Sequence, residues 1–183
     1  MANPDSQAVL VTGVYGSGKT SVVEELADIL ESRSLPYAAL DLDWLAWAGP
    51  GVGGSAVDGR WEDHGHLMML ANLSCVVKNY LDAGIRRFVM AYALRTRAER
   101  DAVSATLSMP LRVVRLDIRL EEIERRLQTD VTSGRGKDLQ EAAHWLATGA
   151  GVGLEDVTIP NEGPIREVAL HILDAIGWAD AIQ

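Results

Sequence analysis

Cysteine is almost missing from this 183-residue chain: Cys75 is the single one, which excludes an intramolecular disulfide framework and suits a reducing compartment. It lies in an apolar stretch of helical spacing, where buried packing is its expected role. Long hydrophobic runs are missing too. Nothing approaches the roughly 20 apolar residues of a membrane span, so no membrane partner is expected. Met1-Ala2-Asn3-Pro4-Asp5-Ser6 has neither a basic region nor an apolar run; no secretory leader is read there, and a cytoplasmic location is expected. Cations are in deficit, with 17 Lys and Arg against 26 Asp and Glu, a formal net charge of −9. That balance argues against a nucleic-acid partner, whose phosphate backbone calls for clustered cations. It leaves room for one small anion in a local pocket, because the arginines are grouped between Arg86 and Arg135. Internal repeats, low-complexity tracts and long linkers are absent. With 48% hydrophobic residues, the reading is a single domain over 1–183.

What the chain does have is Gly13-Val14-Tyr15-Gly16-Ser17-Gly18-Lys19-Thr20, a complete G-x-x-x-x-G-K-[ST] loop. The apolar run Val9-Leu10-Val11 precedes it, and a segment of helical periodicity opens at Ser21. A chance match in a chain this long has odds on the order of 1% at average residue usage. Glycines let successive amides turn toward a phosphate without Cβ clashes, and the following helix adds the positive end of its dipole. Lys19 is placed to reach the β- and γ-phosphates, and the Thr20 hydroxyl to hold Mg²⁺. The loop predicts binding of a nucleoside triphosphate, with ATP and Mg²⁺ as cofactors.

Strand and helix patterns alternate along the chain, as a parallel sheet with crossover helices requires. The second strand is expected at Ala38-Ala39-Leu40-Asp41-Leu42, before a glycine-rich segment at 49–59. A long helix is expected over about 62–82, with Leu67, Leu70, Leu73, Val77 and Leu81 on one face. A third strand at 87–92, a helix at 98–108, a fourth strand at 111–116, two charged helices around a loop at 129–137, a short strand at 156–159 and a helix at 165–176 complete the pattern. The fold class is α/β: a three-layer P-loop NTPase fold with a five-stranded parallel sheet, and an arginine-bearing lid at about 120–150.

Ligands of open α/β sheets lie beyond the carboxyl ends of the strands, where Leu40-Asp41-Leu42-Asp43-Trp44 falls. Strand alternation would point Asp41 and Asp43 to one side. A phosphoryl acceptor needs its hydroxyl oriented and its proton accepted, and Asp43 is the candidate for both; Asp41 is the candidate for holding Mg²⁺ through water. The competing reading is that one of the two aspartates caps the next helix. Charge gathering on a transferring phosphoryl group must be neutralised, and Arg126 and Arg135 are the candidates. Arg126 also stands at pairing distance from Glu122 on a helix, whereas Arg135, between Gly134 and Gly136, is expected on a mobile flap.

GVYGSGKT, the LDLDW segment and the passage LDIRLEEIERRL together resemble the small P-loop kinases, the superfamily of adenylate, shikimate, gluconate and adenylylsulfate kinases and chloramphenicol phosphotransferase. The resemblance implies an enzyme that moves the γ-phosphate of ATP to a small-molecule acceptor. It aligns Arg126 with the lid-helix arginine, and puts Asn161 where this superfamily packs its adenine. Asp130 stands where the nucleoside monophosphate kinases usually carry a second lid arginine, which favours a neutral or differently charged acceptor. No N-K-x-D motif reads guanine, and no strand ends in the Asp-Glu of a motor ATPase.

The acceptor pocket is expected among Asp41, Trp44, Trp47, the glycine-rich segment, Arg60-Trp61-Glu62-Asp63-His64-Gly65-His66 and Tyr92 to Arg97, with one of Arg95 and Arg97 contacting an acceptor anion or the transferred phosphate. Indoles there suit a flat or partly apolar substrate. His64 and His66 lack the further ligands of a zinc site. The nucleotide-binding set is Gly13 to Thr20 with Ser21 and Asn161. The leading expectation is a small-molecule phosphotransferase, with a homodimer among the assemblies considered. The alternatives are a nucleotide-dependent switch with slow hydrolysis and, third, a nucleic-acid kinase.

Overall fold

Five parallel strands in the order β2-β3-β1-β4-β5 form the sheet on which everything else is hung. The structure is a computed structural model describing residues 6–46, 60–129 and 135–178; the side chains at 60–64 and 127–138 lie outside that description. The strands are β1 (Gln7–Thr12), β2 (Tyr37–Asp41), β3 (Arg87–Ala91), β4 (Leu111–Asp117) and β5 (Val157–Pro160). The helices are α1 (Lys19–Ser32), α2 (Leu42–Ala46), α3 (Arg60–Asp82), α4 (Arg97–Leu107), α5 (Leu120–Thr129), α6 (Arg135–Thr148) and α7 (Ile165–Ala175).

Strand alternation sorts the central strand's side chains into two cores. Val9 and Val11 face α1 and α7, packing with Val22, Leu26, Leu30, Ile172 and Leu173. Ala8 and Leu10 face the opposite layer, packing with Leu73, Phe88, Met90 and Leu107. Covered on both faces, β1 reads as a continuous apolar run rather than an alternating one. This is the three-layer α/β arrangement expected from the sequence. Among the described residues no helix is long and apolar enough to cross a membrane.

The element pattern departs from the sequence reading in four places. The second strand ends at Asp41, because the Asp43 amide donates to Asp41 Oδ1 at 3.1 Å and turns the chain into α2. Asp43 therefore sits in the first turn of a short helix, and strand alternation is not what brings it beside Asp41. Leu67 is 63% exposed, so the buried face of α3 runs through Met69, Leu73 and Val77 instead. Cys75 is exposed, not packed in the core. Arg135 opens α6 rather than riding on a glycine flap, and Gly136 is helical. Asp130 and Gly134 fall outside the described residues, as do Trp47 and the segment at 47–59.

The candidate site lies at the carboxyl end of the sheet. The loop at 13–18 leaves β1 there, flanked by β3 and β4, whose residues pair with β1 from Gln7↔Arg87 and Ala8↔Leu111 onward. A third cluster (Val14, Ala93, Ile118, Ile123, Ala142 and Trp145) seats α5 and α6 against the loop.

Candidate active site

The loop after β1 is shaped by crowding as much as by glycine's freedom. Gly13 has φ +145°, and a Cβ there would meet Ser17 Oγ at 2.9 Å and the Leu116 carbonyl at 3.1 Å. Gly18 has φ +87°, and a Cβ would come within 2.9 Å of Asn161 Nδ2 and 3.2 Å of an Arg126 guanidinium nitrogen. The residue before α1 is thus a glycine, with no side chain to cap the helix, and the first turn carries no acidic residue. The leading amides of a 14-residue helix are left without a side-chain acceptor. This cradle, with a lysine opening the helix, fits a phosphate chain.

Lys19 Nζ arches back over the loop, donating to the Gly13 carbonyl at 3.1 Å and the Val14 carbonyl at 3.0 Å, 5.6 Å from the Tyr15 ring centroid. Removal from water lowers its pKa to about 8, against the opposing pull of Asp43 and then Asp41. Thr20 Oγ1 donates to Asp41 Oδ2 at 2.8 Å. A hydroxyl and a carboxylate at the mouth of the loop are the two oxygen ligands a hard cation such as Mg²⁺ takes from protein when phosphate and water supply the rest. Asp43 is partly enclosed: desolvation and the Asp41 charge raise its pKa, while Lys19 and Arg95 draw it back.

Behind the loop, two side chains converge on one peptide. Asn161 is 3% exposed; its Nδ2 donates to the Ser17 carbonyl at 2.5 Å, and its own amide donates to the Asp117 carbonyl at 2.8 Å. Arg126 donates to the Asn161 carbonyl at 2.8 Å, to the Ser17 carbonyl at 3.4 Å and to Glu122 Oε1 at 2.8 Å. Arg125 also binds Glu122, whose carboxyl is held at about 2 by its hydrogen bonds to Arg125 and Arg126. Helical pairing with Glu122 accounts for Arg125, whereas Arg126 additionally reaches the loop itself.

A cavity of about 630 Å³ opens on the other side, running from Tyr15 and Asp43 to Tyr92, Arg95 and Glu99, with α3 as its far wall. The sheet edge supplies Tyr92, the first turn of α2 supplies Asp43, and the residues before α4 supply Arg95 and Thr96. A Thr96–Glu99 capping box fixes this last corner: Thr96 Oγ1 accepts from the Glu99 amide at 3.2 Å, and Glu99 Oε2 accepts from the Thr96 amide at 3.4 Å and also from the Arg95 amide at 2.7 Å. His66 Nδ1 lies 3.4 Å from the Tyr92 hydroxyl with the two rings stacked. Burial, then Glu99 and Asp43, push Tyr92 up to about 12, so its hydroxyl keeps its proton.

The sequence-level candidates are distributed unevenly. Asp43, Tyr92 and Arg95 line one cavity, and Tyr15 joins them from the phosphate loop. Asp41 bonds Thr20 beside them and also makes the turn into α2, so the helix-capping reading and the metal-side reading meet in one residue. Trp44 does not line the cavity; its position on α2 leaves it 65% exposed. Arg97 turns away toward the Gly153 carbonyl. Ser21 is exposed in the first turn of α1. The side chains of Trp61, His64 and Arg135 lie outside the described residues. The sequence places the stretch ending at His66 in the pocket wall, and His66 lines the cavity; Glu99 was missed, though the spacing Thr96-Arg97-Ala98-Glu99 was its available signal.

A phosphate-loop α/β sheet of order 2-3-1-4-5 with an acidic strand end and a side cavity is the class these features define. No family model matches the chain, and no curated protein matches it. Solved structures do. An unliganded sugar kinase from Janibacter sp. HTCC2649 is 22% identical with a TM-score of 0.63, covering 94% of this chain and 95% of that one. Shikimate kinase from Acinetobacter baumannii, in complex with shikimate, is 20% identical with a TM-score of 0.54, covering 93% and 92%. The APS kinase of Mycobacterium tuberculosis, in complex with AMPPNP and APS, is 19% identical with a TM-score of 0.58, covering 96% and 99%. The chain thus has the fold carried by these small P-loop kinases, which is what likeness at this level of identity establishes.

Proposed function

We propose that this protein is an ATP- and Mg²⁺-dependent phosphotransferase acting on a hydroxyl of a small molecule. The carrying observation is the position of Asp43, which lines the side cavity while sharing its electrostatic field with Lys19 of the phosphate loop. Bound MgATP would supply the transferable phosphoryl group; the loop amides, Lys19 and Thr20 would hold it, with Asp41 on the metal side. An acceptor in the cavity would present its hydroxyl to Asp43, whose carboxylate would orient it and take its proton as the acceptor oxygen bonds the γ-phosphorus and the P–O bond to the leaving ADP breaks. Lys19 would spread positive charge beside the reacting oxygens, and Arg126 would offer a second cation, a guanidinium, at the rear of the loop. Arg135, at the start of the lid helix α6, is proposed to complete the clamp. Asn161 is proposed to brace the Ser17–Gly18 peptide under the phosphates, and Tyr92 and Arg95 to seat the acceptor.

Titration calorimetry with MgATP, followed by a ³¹P assay of ATP against pooled hydroxyl compounds, tests the reading. Saturable MgATP binding and one phosphorylated product are expected. Binding with hydrolysis but no phosphorylated product from any acceptor would make the protein a nucleotide switch instead. No binding of ATP or GTP would remove both.

A further inference from the structure

The side cavity carries information about its occupant that the phosphotransferase reading does not contain. Among the described residues its charged lining is Asp43, Glu99 and Arg95: two carboxylates and one guanidinium. That guanidinium is already engaged. It lies 5.3 Å from the centroid of the Trp145 ring, and although burial works against its charge, Tyr15, by contact and hydrogen bond, with Glu99 and Glu141 stabilises it more. An anion entering here meets two like charges and a cation already facing Glu99 and the Trp145 ring. The remaining polar groups include the hydroxyls of Tyr92 and Thr96 and the ring nitrogens of His66, which suit hydrogen bonding to neutral groups. The wall opposite is apolar, made by Ala46, Met69, Leu70 and the 63%-exposed Leu67. A volume of about 630 Å³ is in the range that takes a drug-sized molecule.

We infer that the cavity selects an uncharged or amine-bearing hydroxyl compound with an apolar body, and discriminates against anionic acceptors. The inference rests on the phosphotransferase reading for the word acceptor, but the charge preference of the cavity stands on the lining alone. It separates this chain from what its fold alone would suggest, since shikimate and APS, held by two of the structures above, are themselves anions at neutral pH.

The test separates binding from transfer. Three series graded in charge on a common skeleton serve as probes: 4-(hydroxymethyl)benzylamine, -benzamide and -benzoate; glucosamine, glucose and glucuronate; and adenosine against AMP. Ligand-observed NMR on the full chain measures binding with and without MgAMPPNP. In every series that binds, the anionic member should be weaker than its neutral or cationic partner by about tenfold. The Ala98→Trp variant, with bulk added at an exposed cavity residue, should abolish that binding while keeping MgATP affinity; Ala102→Trp repeats the test from the next turn of α4. Leu67→Lys, which adds a cation to the exposed wall, should improve the anionic members by about fivefold. Preferred binding of the anionic members, or no probe lost in both tryptophan variants, overturns the inference. If the charge preference holds but no probe is phosphorylated from ATP, the phosphotransferase reading fails while the ligand class survives.

Discussion

The two halves of this site are built on different scales. The phosphate side is eight consecutive residues after one strand, and its working groups are main-chain amides, one ammonium and one hydroxyl. The proposed acceptor side is gathered from four separate stretches: Tyr15 on the loop, Asp43 on α2, His66 to Leu70 on α3, and Tyr92 to Glu99, running from the end of β3 into α4. The contrast teaches where specificity is written. A phosphate chain is recognised by backbone geometry that glycines permit, so its signal survives as a contiguous motif. An acceptor is recognised by side chains that only the fold brings together, and Asp43 is the residue where the two halves touch.

Breaking the phosphate half should have the largest effect. Lys19→Ala removes the one ammonium inside the loop and should drive phosphoryl transfer below detection, with MgATP affinity falling as well in calorimetry. Asp43→Asn should divide the halves instead. Turnover with a true acceptor should fall about 10²- to 10⁴-fold, the range of a lost general base, while calorimetry still detects MgATP. Wild-type turnover in Asp43→Asn would strip the residue of its role and leave the cavity without a proton acceptor at the loop.

The same division decides how much was legible beforehand. The phosphate loop, the parallel sheet and the carboxyl edge could be read because each is set by local pattern: a motif, the β-branched run before it, and alternating strand and helix periods. Asp43 and Asp41 were found for a partly wrong reason. Their proximity comes from the Asp41 side chain bonding the Asp43 amide, not from sharing a strand face. Trp44 was placed in the pocket by adjacency, but a one-residue step around α2 turns it outward. Asn161 was placed beside the base by resemblance, whereas its side chain is buried on the Ser17 carbonyl, a contact across 144 residues of chain that no periodicity could show. Arg126 was ambiguous because an i,i+4 pairing with Glu122 explains any arginine at that spacing.

A smaller effect tests whether crowding, and not glycine's backbone alone, shapes the loop. Gly18→Ala places a Cβ 2.9 Å from Asn161 Nδ2 at φ +87°, whereas Gly84→Ala adds one at φ +92° with nothing within 4 Å. Both carry the left-handed penalty of about 1–2 kcal/mol. Urea unfolding should therefore show Gly18→Ala less stable than Gly84→Ala, within the range of about 0.5–3 kcal/mol ordinary for a point substitution. Equal midpoints would mean that the Asn161 and Arg126 contacts yield without cost. Only Gly18→Ala should also weaken MgATP binding, since Gly84 lies at the far end of α3.

The smallest effect is a fraction of a proton, and it reports on the junction directly. Lys19 has a pKa lowered to about 8 by removal from water, so a sizeable share of the protein carries it neutral at pH 8 to 9. The sign follows: the folded group holds fewer protons than an unfolded lysine between about pH 8 and 10.5, so it subtracts stability below that window and the deficit lessens as pH rises through it. Phosphate oxygens beside the ammonium favour its charged form, so binding MgATP should take up part of a proton at pH 8 to 9 and almost none at pH 6.5. Calorimetry in two buffers of different ionisation enthalpy reads this uptake as a buffer-dependent heat. Asp43→Asn removes the larger of the two charges that hold the Lys19 pKa up, so the free lysine should titrate lower and the uptake at pH 8 should grow. Uptake that is unchanged in Asp43→Asn would mean that the two halves of the site do not communicate through this pair.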